Sequence, residues 1–241
     1  MKETKKDKIS IGVPCYNEEK LIRDTYLKIK EEAEKLPGKN YEIIFVNDGS
    51  KDKTEEILSE IAKKDKKVKV ISYFPNRGMG YGHRQIYTNS TGEITIIMDA
   101  DLSTPPSIMS SMIRTLRKED VDVVLASRYV GSKVKIPFFR WLPSWMYYLI
   151  NRILFNFKVR DSQTGFVAYR SSAIKNVDLK ANKFDIHVEV LAKLKKKGYK
   201  MKEIPAEYKH RTEDAKFSVL KDGPKTVLDT FKVWRNLRKG L

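Results

Sequence analysis

Asp99 and Asp101 stand two residues apart behind a short apolar run, in the stretch IIMDADLSTPP from Ile96 to Pro106. Two carboxylates held that close repel each other unless a cation lies between them. Hard oxygen donors of this kind suit Mg²⁺ or Mn²⁺; a magnesium site takes one or two carboxylates, with water and phosphate completing its shell. A metal so held can bridge a diphosphate and stabilise it as it departs. The same residues also make an ordinary turn, since aspartate is frequent at strand ends and Pro105-Pro106 needs an extended approach. A second acidic turn, Asp48-Gly49 in VNDGS, reads either as a plain turn before a helix or as an acceptor for a nucleobase N–H. NRGMGYGHR, from Asn76 to Arg84, has three alternating glycines ahead of a helix, where backbone N–H groups can approach phosphate. It is neither a Walker A loop nor a dinucleotide fingerprint.

Short apolar runs alternate with amphipathic stretches around these residues. Strands are expected over Ile9–Tyr16, Tyr41–Asp48, Val68–Phe74, Glu93–Ala100 and Val121–Tyr129. Helices are expected between them: one opening at Asn17 as cap, one capped by Asp52 or Ser50, a short one in the glycine-rich stretch, and one with proline in its first turn. Strand alternating with helix predicts an α/β fold built on an open, mostly parallel sheet, in which ligands bind at the carboxyl ends of the strands. All three motifs lie at such ends. Beyond residue 160 follow a polar loop RDSQTGF, a strand FVAYR, a helix near Phe184–Lys197, a strand within YKMKEIPAEYKH and a basic helical tail from Gly223. No internal repeat or low-complexity linker divides the chain, so a single domain over 1–241 with a C-terminal elaboration is expected.

Composition narrows the partners. Hydrophobic residues make up 41% of 241, enough for a real core. One cysteine, Cys15, excludes a disulfide framework, and three histidines make an all-histidine metal site a poor fit. The balance of 48 basic to 31 acidic residues gives a net charge of +17, which favours anionic partners: phosphorylated substrates, an anionic membrane surface, or nucleic acid. Acidic loops at the strand ends argue against nucleic acid, because carboxylates repel a phosphate backbone. No apolar run is long enough for a signal peptide or a transmembrane helix.

Taken in order, VPCYNEE, VNDGSKDKT, NRG, MDADLSTPP, SRY and RDSQTGFVAYR resemble glycosyltransferase family 2, with its inverting GT-A fold. Within that family they look most like the dolichyl- and polyprenyl-phosphate hexosyltransferases, the dolichyl-phosphate glucose and mannose synthases. The resemblance spans roughly residues 8 to 220. It implies a nucleotide-sugar half over 1–130 and an acceptor and membrane half over 131–241. It implies transfer of glucose or mannose from UDP-glucose or GDP-mannose to a dolichyl or polyprenyl phosphate, with Mg²⁺ or Mn²⁺. By position, Pro14, Tyr16, Glu18, Asp48, Arg77 and Ala100 would contact the donor nucleotide, and Asp99 and Asp101 would hold metal and diphosphate. Ser103 stands where some mannosyl enzymes have a glutamine as a further metal contact. An alternative within the family is transfer to a saccharide hydroxyl, which needs a positioned base.

A lipid phosphate with a second pKa of about 6 is largely dianionic at pH 7 and already nucleophilic. It needs cationic clamping and exclusion of water more than a base. Arg128 in SRY and Arg140 in FFRW are the candidate phosphate clamps; pairing of Arg128 with a nearby carboxylate is the plain alternative. Gln163 and Thr164 offer hydrogen bonds beside the sugar or the acceptor phosphate. Asp185, His187 and Glu189 share one expected helix, but residues two apart point different ways on a helix, so no metal site is expected there. Residues 128–160 hold seven basic and no acidic residues. Within them Trp141–Phe157 can form a helix with Trp141, Trp145, Leu149 and Ile153 on a broad apolar face, fit to lie in a membrane interface. The expectation is a cytoplasmic protein attached peripherally to a membrane, its basic tail adding attraction to anionic lipid.

Overall fold

The computed structural model describes residues 8–131, 138–208 and 219–239, with 138–141 and 219–222 described by backbone alone. Seven strands form one sheet: β1 Ile9–Cys15, β2 Tyr41–Asp48, β3 Val68–Tyr73, β4 Ile94–Ile97, β5 Val123–Ser127, β6 Val167–Arg170 and β7 Met201–Pro205. Their order across the sheet is β3-β2-β1-β4-β6-β5-β7. Among the described residues, β6 runs antiparallel to both neighbours, and the other pairings are parallel. The expected mixed, mostly parallel sheet is what forms.

Strand β2 is buried along its whole length, so it reads as a continuous apolar run. Its side chains still alternate: Ile43 and Phe45 join one core layer, Ile44 and Val46 the other. The first layer is completed by helices α1 (Ile22–Glu34), α2 (Thr54–Lys64) and α4 (Met109–Lys118). The second takes α3 (Met79–Asn89), α6 (Ser171–Lys175) and α7 (Ile186–Lys196). Two long helices, α5 (Phe138–Phe155) and α8 (Val219–Arg238), pack against each other and close that side.

The structure departs from the local expectations at several points. Helix α1 begins at Ile22, and Asn17 does not cap it. Asn17 sits at φ +53°, its Oδ1 accepts the Lys51 N–H at 2.8 Å, and its own N–H donates to Ser50 Oγ at 2.9 Å, joining two loops. Strand β4 stops at Ile97 because the chain turns at once: the Leu102 N–H reaches the Asp99 carbonyl at 3.3 Å, with Leu102 at φ +51°. The short helix α6 had no signal in the sequence pattern. The N-cap of α2 is Lys53 and not Asp52 or Ser50; Asp52 stands one residue earlier, where its Oδ1 accepts the Thr54 N–H at 3.0 Å, and Pro106 opens the 3-10 turn that leads into α4.

The base of the sheet carries a buried carboxylate. Glu42 accepts from Ser10 Oγ at 2.6 Å and from the Thr91 N–H at 2.7 Å, and pairs with Lys8 at 3.0 Å and Lys69 at 2.8 Å. Burial works against its charge, but the bonds from Lys69, Ser10 and Thr91 win and hold its pKa down at about 2.

Candidate active site

Because β6 runs backwards, the loop leading into it reaches the same rim as the loops leaving β1, β2, β4 and β5. That rim gathers Pro14 near the end of β1, Tyr16 and Glu18 after it, Asp48 at the end of β2, Asp99 to Asp101 after β4, Arg128 after β5, and residues 160–166 before β6.

The Asp99–Ser103 turn organises its own carboxylates. Ser103 donates its N–H to Asp101 Oδ1 at 2.9 Å and its hydroxyl to Oδ2 at 2.7 Å. Ser103 therefore orients Asp101 rather than offering a third metal ligand. Each Asp101 oxygen keeps a second lone pair toward the rim. Ala100 is turned away from any donor: its side chain lies in the core and its carbonyl accepts the Thr25 hydroxyl of α1 at 2.6 Å. Asp99 lies over Gly165, where an added β-carbon would overlap the carboxylate and sit 2.5 Å from Oδ1. Two hard oxygen donors carried on one turn, Asp99 and Asp101, are the donor set that suits Mg²⁺ or Mn²⁺ completed by water and phosphate. Among the described residues no group of three or more His, Cys, Asp or Glu gathers to hold a metal.

Asp48 points into its own chain. It accepts from the Arg77 N–H at 2.7 Å and from the Gly78 N–H and Asn76 Nδ2 at 2.9 Å each. Three donors leave a carboxylate one further lone pair at most, so its first role is to hold the 76–78 turn. Nor are the glycines a phosphate cradle. Gly78, at φ +92°, and Gly80 lie against the backbone of Asn182 and Ala181, and the Gly80 N–H donates to the Asn182 carbonyl at 2.9 Å. The 180–183 segment, which Glu189 holds from the other side through the Lys180 and Ala181 N–H groups, fills the space a phosphate would need. Arg77 itself is exposed at the rim, its guanidinium 4.8 Å from the Tyr81 ring and bonded to that hydroxyl at 2.9 Å. Pro14 at the end of β1 and Tyr16 and Glu18 on the loop after it are half-buried.

Arg128 is paired, as the plain alternative had it. Its Nε and Nη2 grip Asp161 as a fork at 2.9 and 2.6 Å, and its backbone N–H adds a third bond at 2.9 Å. Asp161 is 1% exposed and Arg128 26%. Burial disfavours the guanidinium charge, but Asp161 more than offsets it and pushes the pKa above its ordinary value. Glu203 of β7 fixes Asp161 in turn by accepting its N–H at 2.8 Å. Asp161, 33 residues from its partner, carries no spacing signal and was not singled out in the sequence.

The neighbours of Asp161 divide. Thr164 is a structural residue and not a phosphate contact: its hydroxyl donates to the Ala126 carbonyl at 2.7 Å, and it is buried. Gln163 Nε2 donates to the Tyr147 hydroxyl at 3.0 Å, which joins Thr230 of α8 at 2.7 Å. On α7, His187 stacks edge-on against His83 at 5.2 Å between ring centres. Burial, reinforced by the Arg128 charge, pulls the His187 pKa down to about 4, and burial also drives that of His83 well below its ordinary value. Burial, then Asp229, raises the carboxyl of Asp185, which lines a groove of about 310 Å³ between α7 and α8.

Helix α5 reverses the usual arrangement of a helix in water. Two of its polar groups turn inward, while Arg152 stays exposed: Ser144 accepts from Tyr129 at 2.8 Å, and Asn151 is buried beside Ser162. Its apolar groups face out, with Trp145 40% and Ile153 80% exposed beside Leu142 and Met146. Leu149 is half-buried, and the side chains of Arg140 and Trp141 lie outside the described residues. Among the described residues no helix is long and apolar enough to cross a membrane.

Residues 10–178 match the family described as glycosyl transferase family 2. A dolichol-phosphate mannosyltransferase of Pyrococcus furiosus is 34% identical over 82% of this chain, which spans only 55% of that protein's length. A dolichyl-phosphate beta-glucosyltransferase of Trichomonas vaginalis is 30% identical over 83% of this chain and 65% of its own. Among solved structures, a mannosyltransferase from Pyrobaculum calidifontis, in complex with GDP-Man and Mn²⁺, superposes with a TM-score of 0.62 at 18% identity, over 87% of this chain and 59% of its own. At that identity the likeness speaks for the fold, which is GT-A.

Proposed function

Since the chain belongs to glycosyl transferase family 2, we propose that it moves a hexose, glucose or mannose, from UDP-glucose or GDP-mannose to a dolichyl or polyprenyl phosphate, with inversion. One observation carries this reading. The loop 160–166 lies against Asp99 at Gly165 and grips Arg128 through Asp161, so one short piece of chain joins the carboxylates proposed for the metal to the cation proposed for the acceptor. Asp99 and Asp101 would hold Mg²⁺ or Mn²⁺, which when bound neutralises charge on the departing diphosphate. Ser103 keeps the Asp101 carboxylate aimed at the rim. Arg77 stands exposed on the same rim, and Asp48 keeps its turn in place for the nucleotide.

Asp161 presents the Arg128 guanidinium in a fixed plane toward a phosphate that is already dianionic near pH 7. Proton removal is then unnecessary, and holding the acceptor in line with the leaving diphosphate is the main task. Helix α5, apolar side outward and basic at its end, would rest in a membrane interface and bring the lipid headgroup to Arg128. The names of the Pyrococcus and Trichomonas relatives support this acceptor class.

The test is a donor-by-acceptor panel with polyprenyl phosphate and divalent metal, each then withheld. Asp101→Ala is expected to lose metal-dependent turnover with an unchanged circular dichroism spectrum. Near-normal turnover in that folded variant refutes its role. One observation favours a second reading, transfer to a saccharide hydroxyl: Asp185 has a carboxyl raised by burial, the property a general base needs. Sugar transfer to a soluble glycan, abolished by Asp185→Asn, would select it.

A further inference from the structure

The geometry points to Gly165 as the positioning residue that seats the metal-binding carboxylate of Asp99. This rests on the assignment of Asp99 to a metal made above, and adds to it a residue that touches neither metal nor substrate. Strands β4 and β6 pair antiparallel, with Ile97 opposite Val167. Continuing that register two residues toward the rim sets Asp99 opposite Gly165. Side chains directly opposite each other in an antiparallel pair share a face, so a side chain at 165 would enter the space that Asp99 occupies. A β-carbon there would lie 2.5 Å from Oδ1 and overlap Oδ2 and Cγ.

The backbone does not explain this glycine. Gly165 is absent from the positive-φ residues, so an L-residue can adopt its conformation. What excludes a side chain is the carboxylate. Nor can the loop retreat to make room. Thr164 is bonded to the Ala126 carbonyl at 2.7 Å, and the Phe166 carbonyl accepts the Ala126 N–H at 3.0 Å, so both neighbours of Gly165 are fastened to β5. The carboxylate is the part that must yield, swinging away from the place it holds against Gly165.

Gly165→Ala is therefore expected to keep the fold and weaken Mn²⁺ binding by about ten-fold or more. Binding is read from the electron paramagnetic resonance signal of free Mn²⁺, titrated with and without UDP or GDP. In an Asp99→Ala background the same substitution should change Mn²⁺ affinity no further, because the group it displaces is gone. Wild-type Mn²⁺ affinity in a folded Gly165→Ala variant overturns the inference, as does an equal additional loss in the double variant. If Gly165→Ala alone does not fold, the double variant with Asp99→Ala is expected to regain the wild-type circular dichroism spectrum, and its failure to do so also overturns it. Wild-type Mn²⁺ affinity in Asp99→Ala would instead remove the metal assignment itself, and this inference with it.

Discussion

Removing Asp161 tests the acceptor side directly. Asp161→Ala deletes the carboxylate that the Arg128 fork grips and strands three donors: Nε, Nη2 and the Arg128 backbone N–H. Breaking a buried ion pair by losing one partner leaves an uncompensated charge, worth roughly 3–5 kcal/mol. Arg128 keeps about a quarter of its side chain in water, 26% by exposure, which places the loss at the lower end, about 3 kcal/mol. For a chain of this size that is a fall of about 6–12 °C in Tm. Urea unfolding at pH 7 measures the loss, and the KM for polyprenyl phosphate should rise in parallel because the guanidinium is no longer held in plane. Arg128→Lys keeps the charge but not the fork, and should show the KM effect with a smaller loss of stability. A loss below about 1 kcal/mol for Asp161→Ala would mean that the pair is not what fixes Arg128, and the reasoning would fail.

Further outcomes follow from the other buried charges and from α5. Glu42 has its pKa lowered from 4.5 to about 2, so it stabilises the fold above pH 4.5 and loses that contribution as pH falls toward 2. Glu42→Gln should lower stability at pH 7 by about 3 kcal/mol, with the gap to wild type closing in acid unfolding curves. His187 has its pKa lowered from 6.5 to about 4, so the unfolded chain binds its proton first and stability falls as pH drops from 6.5 to 4; His83 acts in the same direction. His187→Phe should flatten that part of the curve of unfolding free energy against pH. If α5 docks on a bilayer, Ile153→Asp should reduce cosedimentation with anionic vesicles, and added salt should weaken wild-type binding; binding unchanged by both would remove the membrane role.

Patterns confined to one segment were legible in the sequence. The run YEIIFVND gave β2 its full length because burial on both faces demands continuous apolar residues. Asp99 and Asp101 stood out because their spacing and the strand before them are local facts. Pairings across the fold were not legible. Nothing near Arg128 announces Asp161, and nothing near Thr164 announces the Ala126 carbonyl that accepts its hydroxyl hydrogen bond. Gly78 and Gly80 look the same whether a phosphate or a neighbouring loop is pressed against them; the sequence offered the first, and Asn182 supplied the second. The inward turn of the polar groups on α5 depended on partners, Tyr129 and Ser162, that periodicity alone cannot assign.

The reversed direction of β6 has an evolutionary consequence. Its neighbour β5 lies beside it and antiparallel, with Leu125 opposite Val167, so residues 128–166 leave and rejoin the scaffold at adjacent points. On the proposed function, such a stretch would be exchangeable where its contacts to Glu203 of β7 and Thr230 of α8 are kept. Grafted from a relative, with the glycine opposite Asp99 retained, it would give the rim proposed for the nucleotide sugar a new recipient, and diversification could proceed by exchanging this excursion while β1 to β4 stay in place.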